Sequence, residues 1–404
     1  MLDDLLDFVA IRRFAALTAV LACFGVGPAS AQTTAQSGDE ELLSLTGSQP
    51  ALAADSRGGF VAIWTDTEAE NEGLGIRGCL LAPKTGGCGP HFAVNTTAVG
   101  DQIRPAVTAD EPGRFIVAWQ GPAESGTGIF GQRFGAGAVK LGPELLLSRA
   151  SSGNLEVPKV AMGEDGDFIA VWQNGQDNRI EVARFSAKGK PVGSVFPMDA
   201  EGETNNGAMV VRYPGGFAVA WHEFFEQSGG RTGSSFAAVA RFDSAGRLVE
   251  KVERMGGAGI DTLVGGRGGA LAVFTNSDGH SAQRFEASGE TKVERFPIAG
   301  TPPCSDGDGP CEAIAAVAMD PRGRFVVIWE VTEHGTISTL FAQLFTPGGK
   351  ARTDRIPVST APSMGFESPA VALADNGTVM VAWTRSDTQR PERTGLFLRR
   401  MRLE

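Results

Sequence analysis

Short apolar runs ending in an aromatic recur along this chain, each behind a glycine-bearing turn. They are Phe60–Trp64, Phe115–Trp119, Phe168–Trp172, Phe217–Trp221, Ala270–Phe274, Phe325–Trp329 and Val379–Trp383. Their terminal aromatics fall 55, 53, 49, 53, 55 and 54 residues apart, and all six tryptophans of the chain occupy this one position. A fixed period of this size predicts repeated supersecondary units, stacked as a solenoid or ringed as a propeller. Both parities of each pentad are apolar. Each therefore predicts a strand with two buried faces, which an open, solvated sheet does not provide.

The repeat reads as four strands. In residues 105–148 the runs Pro105–Ala109, Phe115–Trp119, Ile129–Phe134 and Glu144–Ser148 are each bounded by turn residues. Repeats are expected near 51–97, 105–148, 158–199, 208–255, 260–299, 314–359 and 369–404. The last has strands near 369–374, 379–383 and 395–402 and lacks a fourth. A spare strand, Glu41–Leu45, precedes the first full repeat and matches the fourth-strand position of the others. One end of the chain completing the sheet begun at the other closes a ring and removes two exposed edges. The reading is an all-β, seven-bladed β-propeller with four antiparallel strands per blade, closed by an N-terminal strand, over residues 32–404.

Composition changes this picture little. Glycine is 54 of 404 residues, in keeping with many tight turns, and the formal charge of −11 argues against a nucleic-acid partner. Residues 1–31 read as a signal peptide: Arg12 and Arg13, an apolar run from Phe14 to Gly27 too short to span a bilayer, and a small-residue cut site after Ala31. A lipoprotein signal at Cys23 is the lesser reading. No transmembrane segment is expected in the mature chain, and the expected location is the periplasm or the exterior. Cys79 with Cys88, and Cys304 with Cys311, sit at spacings suited to two local disulfides in an oxidising compartment.

The second repeat carries Phe92-Ala93-Val94-Asn95-Thr96-Thr97, Gly100-Asp101-Gln102, Pro105, Val107, Asp110, Gly113, Phe115, Trp119-Gln120 and Gly126-Thr127-Gly128-Ile129-Phe130-Gly131-Gln132-Arg133-Phe134. This resembles a Trp-containing repeat of bacterial exported proteins. The match is strong in the second repeat, clear in the third, and weak in the fourth and fifth. The resemblance implies a secreted or periplasmic β-propeller-type protein and no particular reaction.

Candidate chemistry clusters on one expected face, that of the loops joining second to third strands and one repeat to the next. The residue after each pentad is polar: Thr65, Gln120, Gln173, His222, Thr275, Glu330 and Thr384. Two readings stand, strands ending in water or a polar collar that binds a ligand. His222, His280 and His334 fall in this loop set beside Glu223, Glu226, Asp278, Glu330 and Glu333, residue types that suit acid–base chemistry or a metal if they converge. Phe224 and Phe225 lie beyond their pentad, either as a contact for a partner or sugar or folded back on the sheet. Asp306, Asp308 and Glu312 form a partial calcium-loop pattern without the twelve-residue EF arrangement, so a cystine-pinned turn is preferred and no cofactor is expected.

Several enzyme classes are set aside. The chain has no G-x-S-x-G elbow, P-loop or His-Glu-x-x-His. Its one tyrosine, Tyr213, falls in a first-to-second-strand turn, away from where a sialidase-type nucleophile would sit. The Asp-x-x-Gly turns (Asp55, Asp110, Asp320) lack the Ser and spacing of that group's Asp-box and read as hairpin turns. The preferred function is an exported, monomeric binding or assembly scaffold presenting loops to an extracytoplasmic protein or glycan, without catalysis of its own. The alternative is a glycan- or ester-active hydrolase or lyase using the His and Glu residues of repeats four to six.

Overall fold

Every pentad forms the second strand of an antiparallel sheet: Phe60–Asp66, Phe115–Pro122, Phe168–Asn174, Gly216–Phe225, Gly269–Asn276, Phe325–Glu333 and Thr378–Arg385. The computed structural model describes residues 36–403, apart from 56, 68–72, 83, 111–112, 125, 149–152, 199–203, 226–233, 257, 267–268, 277, 286–294, 299–310, 334–336, 362, 364–365 and 387–393. The expected leader, with Cys23 and Ala31, lies outside the described residues. So do Cys304, Asp306, Asp308, Glu226 and His334.

The two-faced apolarity of the pentads has the expected outcome. Ile63, Val117, Val171, Val219, Val273, Ile328, Val381 and every tryptophan are fully buried. Four of the six buried indoles donate their N–H to a side chain, as burial favours. Trp64 Nε1 donates to Asp66 Oδ2 (2.7 Å), Trp119 to Gln102 Oε1 (2.8 Å), Trp172 to Glu181 Oε2 (2.7 Å) and Trp221 to Glu223 Oε1 (3.2 Å).

The first strands are Gly47–Ala54, Ile103–Ala109, Gly153–Met162, Thr204–Tyr213, Ala258–Gly266, Cys311–Met319 and Phe366–Leu373. Each begins two to five residues before the repeat boundary expected from sequence, because a bulge near its start lets pairing resume upstream. First strands touch in chain order, and Phe366–Leu373 touches Gly47–Ala54 in turn. Fourth strands are mostly two residues long, as at Phe196–Pro197, Phe296–Pro297 and Ile356–Pro357, where proline ends the ladder. The second and third repeats share one continuous sheet through a short parallel pairing of Gly153 and Asn154 with Gly126 and Thr127. Hydrophobic clusters span neighbouring sheets, one joining Ala161 and Val171 to Val210 and Trp221.

The expected pairing of the N-terminal strand with the last sheet is present. Gln36–Ser44 pairs antiparallel with Gly395–Arg402, the outermost partner of the last pentad sheet. The strand starts earlier than Glu41 and stops at Ser44, matching its partner's length. Glu40 fixes it with a largely buried ion pair to Arg385 (2.6 Å), and Arg399 Nε donates to Gly38 O (2.9 Å).

The Asp-x-x-Gly turns are hairpin turns. Asp55 Oδ1 accepts from Gly59 N (2.7 Å), Asp110 Oδ1 from Arg114 N (3.0 Å) and Asp320 Oδ1 from Arg324 N (2.9 Å). Arg114 and Arg324 pair with their aspartates and reach the next sheet's turn, donating to Glu164 O (3.1 Å) and Asp375 O (3.0 Å). Cys79 and Cys88 are joined, and Cys311 is also disulfide-bonded. No described helix is long and apolar enough to cross a membrane.

Candidate functional site

The inner rim is built by the first-strand bulges. Their register shifts fall at Ser48/Ala51, Ile103/Ala106, Glu156/Lys159, Asn206/Met209, Ile260/Thr262, Ile314/Ala316 and Glu367/Ala370. Gln49, Arg104, Val157 and Ser368 there take left-handed φ values of 51°, 56°, 49° and 49°. Each precedes a proline (Pro50, Pro105, Pro158, Pro369). Such backbone costs about 1–3 kcal/mol per residue and is held only by its surroundings. Gly207 fills the same place in the fourth repeat at φ 67°, where a Cβ would lie 2.8 Å from His222 Cδ2.

The bulges meet the residues that follow the pentads. Gln49 Oε1 accepts from Thr65 Oγ1 (3.0 Å) and from Arg104 N (2.9 Å). Arg104 Nη1 donates to Gln120 Oε1 (3.4 Å) and pairs with Glu156 Oε2 (2.9 Å). His222 Nε2 donates to Ile260 O on the next sheet (2.9 Å). Thr275 Oγ1 donates to Asp261 Oδ2 (2.6 Å). The residues after the pentads are not where the strands end. The strands run on past Thr65, Gln120, His222, Thr275 and Thr384, and four of these polar groups join a bulge of their own or the next sheet. Gln173 and Glu330 are half-buried within their strands.

His222 and His280 each bond at the bulge of the fifth repeat, and His334 lies outside the described residues. His222 is half-buried, and desolvation lowers its pKa against a smaller raising effect from its bond to Ile260. His280, expected in a loop, is buried in the strand Gly279–Phe285 and sits edge-on to Trp329 of the next sheet (5.2 Å). Its Nδ1 lies 2.6 Å from Thr275 Oγ1. With that hydroxyl's proton donated to Asp261, the imidazole donates from Nδ1 to Thr275 Oγ1. Burial lowers the His280 pKa and raises that of Asp261 to about 6. Glu223 is fully buried beneath Trp221 rather than presented on a loop. Phe225 folds back edge-on to Phe236 (5.4 Å), while Phe224 stays exposed. Glu312, also buried, forms a two-point ion pair with Arg355, whose guanidinium stacks over Trp329 (4.9 Å). Among the described residues no group of three His, Cys, Asp or Glu could hold a metal ion.

A cavity of about 340 Å³ is walled by consecutive residues from every first strand, including Ala53, Thr108, Ala161, Arg212, Leu263 and Leu373. These pair with the starts of the pentads (Ala53 with Val61, Ala161 with Ile169). The cavity therefore lies toward the first-to-second-strand turns, about 13 Å along the strand from the rim, and not on the face expected from sequence. Sequence reading also missed Gln49, Arg104, Glu156 and Asp261. The recurring proline at 50, 105, 158 and 369 was the available signal for the bulges.

No protein-family profile and no curated protein matches the chain. Solved structures do. A protein of unknown function from Dyadobacter fermentans is 12% identical, with 92% of this chain and 99% of that one covered and a TM-score of 0.51. The polysaccharide lyase Uly1 is 12% identical over 86% and 88%, with a TM-score of 0.52. Puromycin hydrolase is 11% identical over 84% of this chain and 50% of its own, with a TM-score of 0.51. At such identities the likeness is one of fold, an all-β propeller-like architecture of antiparallel four-stranded sheets.

Proposed function

We propose that the chain is an exported seven-bladed β-propeller of the bacterial Trp-repeat type and that its rim binds an extracytoplasmic protein or glycan as a scaffold. The cyclic contact of first strands and the closing strand Gln36–Ser44 support the ring. The Cys79–Cys88 bond supports an oxidising compartment. The observation carrying the function is how the rim's polar groups are used. Glu223 and His280 are buried on tryptophans and His222 is tied to a carbonyl, whereas the Arg104–Glu156 pair and Phe224 stay open to solvent. A partly exposed, positioned ion pair and an exposed aromatic favour recognition over proton transfer.

The test is a glycan array together with thermal shift against the bound oligosaccharides. Stabilisation by a glycan that is lost in Arg104→Ala and Phe224→Ala supports the scaffold. Release of new reducing or unsaturated ends from the same glycan would replace it with the hydrolase or lyase alternative.

A further inference from the structure

The first residue after each bulge forms a layer around the cavity's rim-side end. Its members are set by pairing with equivalent pentad positions: Ala51 with Ile63, Ala106 with Ala118, Met209 with Ala220, Thr262 with Val273, Ala316 with Ile328 and Ala370 with Ala382. In the third repeat this position is Lys159, paired with Val171. A single amine thus stands in a layer of small or apolar side chains. The next three residues, Val160, Ala161 and Met162, line the cavity itself.

Lys159 is exposed although its strand lies between the first strands of the second and fourth repeats. Its neighbours are sealed in both directions, Val160 within the cluster of Ala106 and Ala118, Ala161 within that of Ala208 and Val210. Water reaches an innermost strand so enclosed through the central space. No ion pair or hydrogen bond holds the amine among the described residues. Glu156, three residues earlier, is engaged by Arg104, and Arg212, the one charged residue among those lining the cavity, is held by Asp167 (2.6 Å). A lysine kept at the edge of a cavity without a carboxylate gains nothing as a structural charge. Its chemistry is that of an amine.

We propose that Lys159 is a reactive amine facing the central cavity, and that the cavity admits a small aldehyde or ketone which Lys159 captures as an imine. In the step, the Nζ lone pair attacks the carbonyl carbon and the C=O π pair moves to oxygen. Proton transfer from nitrogen to oxygen gives a carbinolamine. Loss of water forms the C=N bond, and water reverses it, so amine and carbonyl become imine and water with no oxidant or reductant. Although its amine meets water in the central space, the apolar strands packed around it desolvate it, which lowers its pKa and enlarges the neutral, nucleophilic fraction. A cavity of about 340 Å³ suits a small molecule. This inference concerns the cavity and stands apart from the rim.

The experiment treats the full chain with glycolaldehyde and cyanoborohydride at pH 7 and follows its eight lysines by peptide mass mapping. Lys159 should be labelled severalfold faster than the exposed Lys188 and Lys190. The fast phase should vanish in Lys159→Met and with an aldehyde-bearing dextran too large for the cavity. The dextran arm reads the same property without a variant. Labelling of Lys159 at or below the rate of Lys188 and Lys190 overturns the proposal. So does Lys159-dependent stabilisation by acetate or phosphate without imine trapping, which would make the amine an anion site.

Discussion

Asp261→Asn should stabilise this protein at neutral pH and leave it unchanged in acid. Asp261 sits in the fifth repeat's bulge with its Oδ2 on Thr275 Oγ1 and its carboxyl largely desolvated. Its folded-state pKa is about 6 against an ordinary 3.8. The folded chain holds this proton more tightly than the unfolded chain. The resulting stability is fully present below pH 3.8 and is lost as pH rises through about 6. At about 1.36 kcal/mol per pH unit, the gap amounts to about 3 kcal/mol at pH 7 and above. Asparagine keeps an acceptor for Thr275 without the charge. Urea unfolding of both proteins from pH 3 to 8 measures the difference directly. His222, whose lowered pKa costs stability as pH falls, is common to both proteins and cancels. The asparagine variant should gain progressively between pH 4 and 7 and then level off. A difference that stays flat across that range would refute a desolvated carboxyl at this bulge.

Glu40→Ala removes the carboxylate that pairs with the buried Arg385 and should cost about 3–5 kcal/mol in urea unfolding; a loss under about 1 kcal/mol would mean the closing strand is not fixed by that pair. Trp64→Phe strips the indole donor from Asp66, whereas Trp383 Nε1 is buried without a partner, so Trp64→Phe should cost about 1–3 kcal/mol more than Trp383→Phe. Replacing Cys79 and Cys88 by Ser opens a loop of sequence separation 9 and should cost about 2–3 kcal/mol by thermal or urea unfolding. Lys159→Met should raise stability at pH 7, with the gain shrinking toward alkaline pH as the native lysine loses its charge in both folded and unfolded states.

The pentads and their spacing carried the β repeat, its sheet order and the pairing of the chain's two ends, because two-faced apolarity and turn residues are local properties legible without a partner. The bulges are another matter. Pro50, Pro105, Pro158 and Pro369 mark them, yet the strand upstream of each becomes visible only when its register is known, as where Ile103 pairs with Gln120 across the shift. The rim residues are partly legible: the polarity of His222 and Gln120 after their pentads stands out, but their partners Ile260 and Arg104 lie 38 and 16 residues away and belong to other strands. His280 looked like a loop histidine because nothing near it in sequence reports Trp329 on the next sheet. Nothing in the sequence distinguishes Lys159; its place in a layer of alanine, methionine and threonine emerges only from the strand register. Sequence by itself determined the strands and the repeat that multiplies them. The tertiary structure decided which polar groups are consumed and which are left free, since that depends on contacts between sheets whose residues lie tens to hundreds of positions apart and meet only when the sheets are assembled.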